Sequence, residues 1–422
     1  MKLNLLTVML LGSGLLFTAC GGGDDKGDNS STSSNINADV NNIQNPVVSI
    51  PVPYNIKDDV LPPNAAESVV MTYKMQGITG KETQATALVF TPKTEPPAGG
   101  WPIVAWAHGT VGVGDDCAPS RNKLFVPGGV LPDVHTQKMI DMFVKDGYVV
   151  VAPDYEGLGE PSEQEIHPFL NLKSAAYSIT DAVVATKNWL GNKASNKWAV
   201  AGVSQGGHAA LGAAQYAARA NMDYKGAVAF APANNLEMIE SLSDMAVAQR
   251  RPFNQVLDYS FLDTLTAYMA AGMKSLYPTE PVYSIVFKSP TDKIAEKAEL
   301  ECILDMASSI STPMFEYLGE KENLENYPRK NKGYTQHPIV RQFLDKDSQP
   351  LQTVVKTPII IYQGGKDLVV LPRATDALVA QARALTTKID YRTNPDWDHV
   401  GGFKANVDNG QLLEDIKALL SD

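Results

Sequence analysis

The stretch AVAGVSQGGHAALG, residues 199–212, holds Ser204 between Gly202 and Gly206. The residues just before it, WAVAG, are apolar and strand-like, and from Gln205 onward QGGHAALGAAQYAARA reads as an Ala-rich helix. A strand that turns this sharply into a helix brings the two backbones together, so it needs small residues on both sides of the serine. The turn also holds the serine in a strained conformation with its hydroxyl exposed, and the helix amino terminus favours negative charge developing there. The competing reading, a serine that merely caps a helix, is weighed by whether the partners of a nucleophilic serine occur elsewhere in the chain.

Outward from this turn the pattern is an alternation of strands and helices, the mark of an α/β fold with a mostly parallel central sheet flanked by helices. ESVVMTYKMQG (67–77) and TQATALVFTPK (83–93) read as an antiparallel pair at the start. WPIVAWAHG, YVVVAPDYEG, KWAVAGVS and YKGAVAFAPA read as strands covered on both faces, separated by helices that end at Gly147 and Gly191. After Ala233 the rhythm stops until KTPIIIYQGGKD, and the interval is helical and rich in Leu, Met and Tyr. The expected organisation is therefore core 51–235, a helical cap 236–350 over the carboxyl ends of the strands, and core again 351–422. No internal repeat is found.

A serine hydroxyl needs a base, and on this architecture the partners follow it in the order acid, then histidine. Two of the six histidines lie beyond the elbow helix; His337 falls in the cap, whereas His399, in PDWDHVGG, follows the last expected strand on a loop with Gly401 and Gly402. Asp367, on the glycine-rich turn of IIIYQGGKDLVV, is the expected acid, fixing the imidazole tautomer. Asp396 and Asp398 stand too close to His399 for that role, with loop solvation their default. His208, one helical turn after Ser204, is read as structural. The expected oxyanion donors are the backbone amides of Gln205, next to the nucleophile, and Thr110, in AWAHGTVGVG, with Gly109 the alternative. His108 is expected to brace that loop, Tyr155 to line the pocket, brace the loop or form a turn, and Glu156 to line the pocket or form a turn.

AWAHGTVGVGDDCAPS, VVAPDYEGLG, AVAGVSQGGHAAL, IIIYQGGKDLVV and DHVGG together resemble the secretory lipase family of α/β-hydrolases, which includes secreted fungal lipases and bacterial relatives. The resemblance spans about residues 60–420 and is weakest in the cap. It implies an α/β-hydrolase core with a helical lid inserted before the aspartate strand, and hydrolysis of carboxylic esters, often acylglycerols. It also implies Ser204 as nucleophile, Asp367 as acid and His399 as base. The same machinery permits a serine peptidase or an acyltransferase, and a catalytically silent binding protein is the alternative outside enzymes.

Composition narrows the partners. With 36 basic and 47 acidic residues the net charge is −11, and no basic block or basic helix appears, so a nucleic-acid partner is not expected. No cofactor or metal is expected, because no two histidines stand at ligand spacing and neither Asp115 and Asp116 nor the tether acids form a calcium loop. MKLNLLTVMLLGSGLLFTAC (1–20) reads as an export signal; a transmembrane anchor fits less well, the apolar run being near the short limit for spanning and interrupted by Gly12 and Gly14. LFTAC resembles the bacterial lipoprotein box, which implies lipid on Cys20 and a membrane-anchored envelope protein, simple secretion being the alternative. Residues 21–50 read as a flexible tether, having almost no apolar side chains to bury. Cys117 and Cys302 then remain as an even pair, for a disulfide or as two unpaired buried thiols.

Overall fold

The computed structural model describes residues 40–54, 61–121, 133–159 and 165–421. The expected signal segment, Cys20 and the tether up to residue 39 lie outside the described residues. The first core strands are β1 (Val52–Pro53), β2 (Ala65–Gln76), β3 (Glu82–Pro92) and β4 (Trp101–Ala107), followed by α1 (Val134–Lys145) and β5 (Val149–Pro153). Then come α2 (Leu172–Leu190), β6 (Ala194–Val203), α3 (Gln205–Tyr216) and β7 (Asp223–Phe230). The insertion that follows consists of α4 (Leu236–Val247), α5 (Pro252–Leu276), α6 (Val282–Val286), α7 (Thr291–Ala295), α8 (Ile303–Lys321) and α9 (Pro338–Gln342). The core closes with β8 (Ile359–Gly364), α10 (Pro372–Ala384), β9 (Ile389–Asn394), α11 (Gly401–Asp408) and α12 (Gln411–Ser421).

The sheet order is β1-β2-β3-β5-β4-β6-β7-β8-β9, antiparallel from β1 to β5 and parallel from there to β9. Alternation along each strand feeds two cores. Ile103, Ala105 and Ala107 of β4 pack beneath α2 and α3, while Val104 and Trp106 face α1, α11 and α12. Both faces are covered, which is why these strands read as unbroken apolar runs. The insertion has its own core, with Tyr268, Met273, Met306, Ile310 and Met314 buried among its helices.

Two local expectations are corrected. Residues 40–50 do not behave as tether: Val47 bridges Tyr73 of β2, Lys74 N donates to Pro46 O (2.8 Å), and Asn41 Nδ2 donates to Asp181 Oδ1 (2.9 Å). Pairing with a strand edge needs backbone rather than apolar side chains, and Asn41 completes the buried Asp181–Arg219 ion pair, so composition concealed the seat. Gly401 and Gly402, read as loop, open α11, whose Phe403 and Val407 are buried on the sheet.

Candidate active site

The strand order reverses beside β4: the chain passes from β4 out to β5 and returns to β6 on the other side. Such a reversal opens a crevice at the carboxyl ends of the two strands, and both the 108–110 loop and Ser204 emerge there. Ser204 sits at φ 58°, ψ −116°, a region that side chains with a Cβ seldom adopt. Its amide donates to Phe230 O (2.9 Å) and its carbonyl accepts from Ala233 N (3.1 Å), so β7 and the residues just after it hold the strained residue from both sides. A Cβ on Gly206 would lie 1.8 Å from Ala107 O, and one on Gly202 would lie 2.2 Å from Gly206 O. The glycines are thus demanded by close approach of the backbones.

The structure brings three distant side chains together. His399 Nε2 lies 2.9 Å from Ser204 Oγ, and His399 Nδ1 lies 2.9 Å from Asp367 Oδ2. Asp367 is buried, and its Oδ1 accepts from the amides of Val369 and Val370 at 2.9 Å each. Gln363 Nε2 also donates to Oδ2 (3.1 Å), while Gln363 Oε1 accepts from the Thr375 hydroxyl at 2.7 Å. Gln363 escapes sequence reasoning, being one polar residue at the end of an apolar strand. Asp396 pairs with Lys366 on the surface and Asp398 caps Val400, so neither serves His399. His337 stands at the start of α9 in the cap.

Gly109, Thr110 and Gln205 line the same cavity as Ser204 and His399. Gln205 is the first residue of α3, where amides lack a partner within the helix. His108 lies behind this loop, buried, with Nδ1 2.7 Å from Gly109 O, and burial pushes its pKa down to about 4. Tyr155 and Glu156 do not line the cavity. Tyr155 turns inward at φ 81° and its hydroxyl donates to His108 O (2.9 Å), so it braces the loop. Glu156 is buried, accepts from Ile78 N (2.7 Å) and from the Ser174 hydroxyl, and burial pushes it up to about 7. His208 contacts Ser348 O (2.9 Å) and is likewise lowered to about 4 by burial, which fits its structural reading. His167, which no motif singles out, touches the Gln205 side chain at 2.9 Å.

The cavity, about 400 Å³, is walled by Phe169, Leu170, Leu236, Ile239, Leu265 and Met269 among others. Glu240 is the carboxylate on this wall, tied to Lys330 Nζ (2.7 Å) and to the Tyr334 hydroxyl. A disulfide joins Cys117, in the loop after β4, to Cys302 at the start of α8, with Cα atoms 5.3 Å apart. Ile303 N donates to Val111 O (2.9 Å) beside it, so the insertion is fastened to the segment that carries Thr110.

No curated protein matches the sequence. Among solved structures, the chain is similar to Candida antarctica lipase A in its closed state, at 17% identity and TM-score 0.64 over 87% of this chain and 83% of that one. A putative hydrolase from Legionella pneumophila superposes with TM-score 0.65 at 17% identity, covering 89% of this chain and 98% of the other. The rice cell wall degrading esterase of Xanthomonas oryzae gives 0.59 at 20% identity over 84% of this chain and 89% of that one. At these identities the likeness is one of fold. The family described as serine aminopeptidase, S33, matches residues 124–394, a span that holds Ser204 and Asp367 and ends shortly before His399. With well over half of its length matched, the chain belongs to this hydrolase family and has the α/β-hydrolase fold.

Proposed function

We propose that the protein is a serine hydrolase that cleaves carboxylic esters with an apolar acyl group. The observation that carries this reading is the Ser204–His399–Asp367 chain of contacts, each 2.9 Å, at the wall of an apolar cavity. In this mechanism His399 Nε2 takes the proton of Ser204 Oγ as the oxygen attacks the ester carbonyl, while Asp367 stabilises the imidazolium. The carbonyl oxygen becomes an oxyanion that accepts from the Gln205 and Thr110 amides. Collapse of the tetrahedral species returns the proton to the leaving alcohol and leaves an acyl group on Ser204. Water, deprotonated by the same imidazole, releases the acid.

Labelling of the purified protein with a fluorophosphonate tests the nucleophile. Labelling at Ser204 that disappears in Ser204→Ala, together with turnover of p-nitrophenyl esters, is the expected result; absence of labelling, or labelling retained in the variant, contradicts it. The family description favours one second reading, a peptidase acting at amino termini. Such an enzyme must hold an ammonium group, and the carboxylate on the cavity wall, Glu240, is already engaged by Lys330 and Tyr334. Faster turnover of aminoacyl anilides than of matched esters would reverse the preference.

A further inference from the structure

His167 and Tyr155 are used by neither the acyl transfer nor the cavity wall, yet together they touch both arms of the oxyanion site. His167 is 1% exposed on the segment leading into α2, with Nδ1 2.7 Å from Glu156 O and Nε2 2.9 Å from Gln205 Nε2. One protonation state satisfies both contacts: the proton rests on Nδ1, donating to the carbonyl, and the Nε2 lone pair accepts from the Gln205 amide. Burial pushes the His167 imidazole down to about 3, which favours the neutral form that this pair of contacts requires. Its ring lies nearly parallel to that of Tyr155, with centroids 5.7 Å apart and planes 12° from each other. The Tyr155 hydroxyl donates to His108 O, two residues before Thr110, and its ring packs 4.5 Å from the His108 ring.

We propose that His167 is a positioning residue: through Gln205 on one side and Tyr155 on the other, it sets the separation of the two amides that receive the oxyanion. The proposal rests on the serine-hydrolase reading above. Two amides from different loops stabilise an oxyanion only if both lie about 2.7–3.1 Å from where that oxygen will be. Gln205 opens α3, and its side-chain bond to His167 restrains the peptide there against rotation. Tyr155 keys the same block to the other arm.

The test measures kcat and KM for p-nitrophenyl butyrate, the rate of fluorophosphonate labelling, and the melting temperature, on the full chain. His167→Phe keeps a ring against Tyr155 but has no acceptor; kcat and labelling rate are expected to fall about tenfold or more, with KM within about twofold. His167→Gln, whose amide oxygen can stand near the Nε2 position, is expected to recover most of the loss. Gln205→Leu keeps the backbone amide and is expected to lose as much as His167→Phe, and the double variant no more than either single one. Multiplying losses in the double variant, full kcat in Gln205→Leu, or a loss that follows melting temperature with KM and kcat moving together overturns the proposal. Should His167→Phe fail to fold, Gln205→Leu and His167→Gln decide the matter alone. A wild type that neither labels nor turns over contradicts the hydrolase reading itself, whereas an active wild type with unaffected variants contradicts only the positioning role.

Discussion

A serine held at φ 58° gains nothing in stability from that conformation; strain of this kind costs on the order of 1–3 kcal/mol and persists only where neighbours enforce it. Here β7 and the bare glycine contacts enforce it. Asp367 is the complementary case, a buried carboxylate that faces donors: two backbone amides, the Gln363 amide and His399 Nδ1. Asp367→Asn, with its oxygen kept on the two backbone amides, would turn its NH₂ toward His399, forcing Nδ1 to accept and leaving a proton on Nε2, where the Ser204 proton must go. An intact fold with kcat lower by about 10³–10⁴-fold is expected, and a decrease below about tenfold in steady-state assays would contradict the tautomer argument. Ser204, Asp367 and His399 were legible in the sequence because a motif, its flanking pattern and the chain order constrained one another. Gln363 and His167 acquire their roles only from burial, which turns an ordinary polar side chain into an obligatory hydrogen-bonding partner. No local pattern announces that.

Strands were the most legible elements, since those covered on both faces advertise themselves as apolar runs between glycine-rich turns. The antiparallel β2–β3 pair follows the expected segments, with Val69 opposite Val89 and Tyr73 opposite Ala85. Paired glycines concealed α11, and the polar run at residues 40–50 concealed a segment that pairs through its backbone. Between elements, the bond from Cys117 to Cys302 spans 185 residues. Closing so long a loop in the unfolded chain removes conformational freedom worth about 5 kcal/mol in the entropic account. Cys117→Ala with Cys302→Ala is therefore expected to lower the melting temperature by several degrees. Because the bond fastens α8 to the loop bearing Thr110, ester turnover should fall as well at temperatures where the variant is still folded. Unchanged melting and turnover would show that the packing of the insertion suffices without the bond.

For the molecule as a whole, buried titratable groups set an acid limit on stability. His108 and His208 are lowered to about 4 and His167 to about 3, so each is neutral when folded but takes up a proton on unfolding below about pH 6.5. Stability from these histidines is present above that pH and is lost as pH falls toward their folded values. Asp154 and Glu156 act in the opposite sense: burial raises them to about 6 and about 7, so the folded state holds protons that the unfolded state releases above about pH 4. Taken alone, these three histidines and two carboxyls leave a net uptake of about one proton on unfolding near pH 5.5, a loss on the order of 1 kcal/mol per pH unit, and Asp181 and Asp347, which burial also raises, make that loss smaller. Melting temperature should therefore decline between about pH 6.5 and 4.5, and a rise over that interval would show the carboxyls dominating. The allocation of labour along the chain has a consequence for how such a molecule diversifies. Thr110, Ser204, Asp367 and His399 follow the ends of β4, β6, β8 and β9, while Leu236, Ile239, Leu265 and Met269 come from the stretch spliced between β7 and β8. Selectivity can drift by rewriting that stretch with the chemistry left intact, provided that each new version keeps a cysteine where Cys302 meets its mate.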